Sequence, residues 1–98
     1  MIVRRDLPEP HRAVQACHAI LAATNTFGDP RRTHPHLVLC GIQDEPALAD
    51  FFEGLKLAGV PCCAWYEDDM RNALTAVATA PLMGKERKML RKLPLLGS

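Results

Sequence analysis

Apolar residues fall along this chain in two alternating rhythms: short consecutive runs, and positions spaced three and four apart. The first run, Ile2-Val3, lies within Met1 to Arg5 and is followed by Asp6-Leu7-Pro8-Glu9-Pro10, whose prolines fit neither a strand nor a helix interior. A strand and then a loop are predicted. Pro10 stands where helices favour proline, and Val14, Cys17, His18 and Leu21 keep the i, i+3, i+4, i+7 spacing of one helical face. A first helix ending near Phe27-Gly28 is predicted, with that stripe turned inward and His18 a hydrogen-bonded core residue on it.

Asp29-Pro30-Arg31-Arg32-Thr33-His34-Pro35 is a polar connection rich in turn formers, and Leu37-Val38-Leu39-Cys40 reads as the second strand. Asp44 is a good N-cap with Glu45 and Pro46 in the first turn. Leu48, Phe51, Phe52 and Leu55 then repeat the helical spacing up to Gly59, a C′ residue, and Pro61. Cys62 to Tyr66 is a third strand and Leu74 to Thr79 a fourth. The loop between them is too short for a parallel crossover and implies an antiparallel pair. Gly84 to Leu93 reads as a basic third helix with Met89, Leu90 and Leu93 on its apolar side, stopped by Pro94. The order βαβαββα predicts an α/β fold, a four-stranded mixed sheet with helices packed on its faces.

Length and composition narrow the class. The 98 residues, 48% hydrophobic and 23% charged, suit one domain spanning 1–98, and no run approaches the roughly 20 apolar residues of a membrane span. Met1-Ile2-Val3 is too short for the apolar region of a signal peptide and precedes the charges, so a soluble cytoplasmic protein is expected. Cys17, Cys40, Cys62 and Cys63 include no C-x-x-C, and all four read as reduced, small apolar residues. Net charge is +1 but uneven: Gln43 to Asp69 is acidic, whereas Lys85, Arg87, Lys88, Arg91 and Lys92 stand against Glu86 alone. That basic stretch is either a solvated face or a contact for a polyanion.

Candidate chemistry is sparse. Dinucleotide, phosphate-loop and G-x-S-x-G motifs are all missing from the sequence. His34-Pro35-His36 pairs two imidazoles, a weak metal signal without a third ligand. A more promising set opens the first helix: His11 and Gln15 are four apart and share a face. If the first and third strands run parallel, that helix start and Glu67-Asp68-Asp69 share the sheet edge where ligands of open α/β sheets bind.

Five stretches then fall in a telling order: Arg4-Arg5-Asp6-Leu7, Gln15-Ala16-Cys17-His18-Ala19, Leu39 to Glu45, Gly59-Val60-Pro61, and Leu74 to Pro81. Over nearly the whole chain they resemble, in sequence, the R-x-D-L, A-Q-x-x-H-A, D-E cap, G-L-P and T-x-L-A-I-G-P motifs of the type 2 peptidyl-tRNA hydrolases. The resemblance implies hydrolysis of the ester between a peptide and the terminal ribose of tRNA, without metal or organic cofactor, by a homodimer. By position the site would comprise His11, Gln15, Glu67 or Asp68, and Thr75, with Arg12, Arg71, Lys85, Arg87, Lys88 and Arg91 on the nucleic acid. Pro10-His11 stands where the family has Gly-Lys, so a neutral His11 would accept a proton and Arg12 supply the charge. A tRNA- or polyanion-binding module of the same fold without hydrolysis, and a protein-interaction domain, are the alternative readings.

Overall fold

Five consecutive residues, Leu74 to Ala78, are buried in the strand Ala73–Thr79, as a strand covered on both faces requires. This strand, β4, organises the molecule. The computed structural model describes residues 1–27, 38–80, 82 and 84–95. In it β1 (Ile2–Arg4), β2 (Cys40–Ile42) and β3 (Cys62–Glu67) join β4 in one sheet of order β2-β1-β4-β3. β1 and β2 are parallel, and β4 is antiparallel to both β1 and β3. The first three strands therefore point the same way, and their carboxyl ends share an edge with the start of β4. The α/β mixed sheet with helices on its faces is the architecture that the periodicity predicts.

α1 (Glu9–Phe27) covers one face. Its inward residues are Gln15, Ala16, Ala19 and Ala23, and the last two share a core cluster with Val3, Leu7, Ala76 and Ala78. Alanine facing alanine lets the helix backbone lie close to the sheet. The predicted inner stripe is on the wrong side: Val14 is 51% and Leu21 62% exposed, and Cys17 is exposed as well. The larger side chains carry the periodic signal, but the small ones are what allow the close approach.

α2 (Glu45–Leu57) covers the other face with Leu48 and Leu55, which lie fully buried beside Ile2 and Val77, and with half-buried Phe51 and Phe52. Asp44 caps it by accepting from the Ala47 N–H at 3.1 Å. At the far end Gly59 adopts φ 77°, its N–H donating to the Lys56 carbonyl and that of Val60 to the Leu55 carbonyl. This is a Schellman ending, and Val60 and Leu55 supply its apolar contact in the same core cluster.

Two elements differ from expectation. β2 lies at Cys40–Ile42, not at 37–40; Val38 and Leu39 precede it in irregular backbone, and Leu37 lies outside the described residues, as do Gly28, His34 and His36. Its middle residue is Gly41, which lowers strand propensity and hides the strand from a reading of apolar runs. The Arg5 side chain lies across this glycine, so a Cβ there would displace it. The third helix, Gly84–Lys92, is a 3-10 helix and not an α-helix. Its repeat of three residues stacks Leu90 and Leu93, joined by a backbone hydrogen bond of 3.1 Å, over the α2-side core with Met89. Beyond it the chain folds back on the β2 edge, where Leu95 bridges Cys40 and Gly41 N–H donates to the Pro94 carbonyl. Among the described residues no helix is long and apolar enough to cross a membrane.

Candidate functional site

The ladder between β3 and β4 slips once. Trp65 pairs with Ala76, but the next residue, Tyr66, pairs with Leu74, so Thr75 is an extra residue with no partner on β3. Such a bulge turns two successive side chains to one face. Leu74 belongs to the core on the α2 side, while Thr75 reaches Gln15 of α1 and Ala76 packs in the α1-side core. The bulge thus delivers a hydroxyl to a face otherwise lined with alanine and valine.

From that hydroxyl a polar chain runs outward. Thr75 is fully buried and its Oγ1 donates to Gln15 Oε1 at 2.7 Å; Gln15 itself is only 6% exposed. With its oxygen so engaged, the Gln15 amide nitrogen is left to donate on the side of Glu67, and its influence is one of those that favour the ionised carboxylate. Trp65 Nε1 donates to Glu67 Oε2 at 3.1 Å, and the Asp69 N–H approaches Oε1 at 3.5 Å. The Trp65 hydrogen bond, followed by that from Gln15, holds the Glu67 carboxyl below the usual glutamate range, with smaller help from the Asp69 N–H and the His18 charge and against the opposing effect of desolvation. His18 stacks on Trp65 with ring centres 4.5 Å apart and planes 12° from parallel. A carboxylate so held is ionised at neutral pH, a weak base and a good orienting acceptor.

The structure therefore brings Gln15, Glu67 and Thr75 together. Asp68 sits next door in a 3-10 turn, Asp68–Met70, exposed, its carboxylate making no hydrogen bond with any described residue. His11 is exposed on α1, one turn before Gln15. Arg12 is engaged in the fold, donating from Nε to the Leu7 carbonyl at 2.8 Å and from Nη2 to that of Arg5 at 2.9 Å, which ties the loop between β1 and α1 to the helix. Arg71 is exposed in the turn after Glu67 and takes a left-handed backbone, φ 56°, followed by Asn72 at φ 57°. Arg87, Lys88 and Arg91 are exposed on the 3-10 helix, whose apolar side packs with α2, on the opposite face of the sheet from Gln15. The side chain of Lys85 lies outside the described residues.

His18 and Trp65 are the residues that the sequence reading passed over. His18 was expected among apolar neighbours, although the A-Q-x-x-H-A resemblance already sets it three residues after Gln15. Trp65 and Glu67 stand two apart on one strand, which is the spacing that puts side chains on one face. A separate open hollow of about 470 Å³ lies at the carboxyl ends of β1 and β2 among Arg5, Asp6, Gly41, Ile42, Gln43, Leu93 and Pro94, and includes none of these residues. No protein-family model matches the chain, and no curated protein matches it either.

Proposed function

We propose that this chain hydrolyses the ester that joins a peptide to the terminal ribose of tRNA, the activity implied by its resemblance to the type 2 peptidyl-tRNA hydrolases. The observation that carries the reading is the buried hydrogen bond from Thr75 to Gln15, continued to an ionised Glu67 at the edge where α1 begins. Glu67 holds the attacking water, and Thr75, from beneath, fixes Gln15 so that its amide keeps the carboxylate and the ester in register. Water adds to the ester carbonyl, the bond from carbonyl carbon to ribose oxygen breaks, and the peptide leaves as a carboxylic acid. The proton lost by water passes through His11 to the departing ribose oxygen. Arg71 and the basic set Lys85, Arg87, Lys88 and Arg91 meet phosphates, while Arg12, held by the Leu7 and Arg5 carbonyls, lends its charge from within the fold; because the 3-10 helix that carries the basic set packs on the other face of the sheet, a ligand as large as tRNA is needed to engage both. The same reading places the protein in the cytoplasm as a homodimer.

Release of labelled peptide from peptidyl-tRNA tests it. Turnover by the wild type, reduced about 100-fold or more in Glu67→Gln and His11→Ala, is the expected result. No release above buffer, or variants equal to wild type, would overturn it. One observation favours a second reading, a tRNA-binding module without hydrolysis: the Trp65 and Asp69 N–H groups already occupy both Glu67 oxygens, and its basicity is lowered. That reading expects binding without turnover that weakens steeply with salt.

A further inference from the structure

The residue immediately before Thr75 is gripped at both of its backbone polar groups by side chains. Leu74 N–H donates to Glu45 Oε2 at 2.6 Å, and its carbonyl accepts from Arg4 Nη1 at 3.1 Å. Arg4 is in turn fixed by a two-pronged pairing with Asp6, Nε to Oδ1 at 2.8 Å and Nη2 to Oδ2 at 2.7 Å, and its Nη1 stands 4.0 Å from Glu45 Oε2. The reason for this arrangement lies in the sheet. The ladder between β1 and β4 stops at Val3 with Ala76, so beyond it β4 has no strand on the β1 side to receive the Leu74 backbone. Buried backbone groups need partners, and here a carboxylate and a guanidinium take the place of the missing strand.

We infer that Glu45 and Arg4 are positioning residues for Thr75, acting through the Leu74 peptide groups to hold the bulge that turns the Thr75 hydroxyl to Gln15. Were Leu74 released, β4 could slide into regular pairing with β3, and Thr75 would rotate to the opposite face, because neighbouring strand residues alternate in direction. Glu45 sits in the first turn of α2 and Arg4 closes β1, so two elements that contribute no group to the site decide whether its hydroxyl faces inward. The kinetic part of this inference rests on the hydrolase reading; the structural part does not.

The two are separated by measuring NMR resonances and peptidyl-tRNA turnover on the same samples of the full chain. In Glu45→Ala the Leu74 amide is expected to exchange faster and the Gln15 side-chain amide and Thr75 methyl resonances to move. Its kcat is expected to fall about 100-fold while KM stays within about threefold, the signature of a misplaced group and not of lost binding. Glu45→Gln keeps an acceptor oxygen for the Leu74 N–H and is expected to restore both the resonances and the rate. Should Glu45→Ala fail to fold, Arg4→Lys reads the same resonances, since an ammonium cannot bridge Asp6 and the Leu74 carbonyl as the guanidinium fork does. Unmoved Gln15 and Thr75 resonances in the folded variants, or Glu45→Gln as damaging as Glu45→Ala, would overturn the inference. A wild type without turnover would sink the hydrolase reading alone and leave the resonances to decide this one.

Discussion

Thr75 and Gln15 satisfy each other where water cannot reach, so each is more dangerous to lose singly than together. Thr75→Val preserves shape but strands the Gln15 oxygen, and unfolding free energy is expected to drop by about 1–3 kcal/mol in urea titrations. Adding Gln15→Leu removes the stranded partner, and the double variant should lose less than the sum of the single losses. Glu67 makes a pH-dependent contribution of definite sign. Its folded pKa lies below the usual 4.5, so the fold favours the ionised form. That stabilisation is complete above pH 4.5 and disappears as pH falls through the lowered native value. The stability difference between wild type and Glu67→Gln should shrink across that acid range; a difference independent of pH would contradict the assignment. Arg71 carries the opposite kind of cost, a left-handed backbone without glycine. Arg71→Gly is expected to raise stability by about 1 kcal/mol, and, if the side chain holds phosphate, to weaken RNA binding in the same protein.

At the level of elements, α2 was readable almost to the residue because every boundary has chemistry of its own: the Asp44 cap, Pro46 in the first turn and Gly59 at the left-handed ending. Gly59→Ala should cost about 1 kcal/mol through that positive φ, since the space around it is open; a thermal shift that stays flat would show the backbone has another way out. α1 was readable as a helix but not in its rotation. Its inner face is alanine, which buries little area and leaves almost no periodic signal, while Val14 and Leu21 face outward. β2 escaped for a related reason, since the residue that fits beneath Arg5 is a glycine. For the site, the ordered motifs named Gln15, Thr75 and the acid pair, but the bulge that joins them arises from strand pairing across sequence-distant segments, and no local pattern encodes it.

For the molecule as a whole, β4 is the wall between two cores, one beneath α1 and one beneath α2, and it supplies residues to both. The cores are therefore expected to melt together. Trp65 fluorescence, which reports the α1 side, and far-ultraviolet circular dichroism should trace one urea transition, and Val77→Ala should move both by the same amount, about 2 kcal/mol. Separate midpoints would show two independent units. The sheet order has a further consequence for how the chain is made. Among the four strands of the sheet β4 comes last in chain order yet takes an inner place, with Ile2 waiting for Val77. During translation β1 and β3 keep bare edges towards a neighbour that does not yet exist, so a nascent chain paused before Ala73 offers those edges to any other strand it meets.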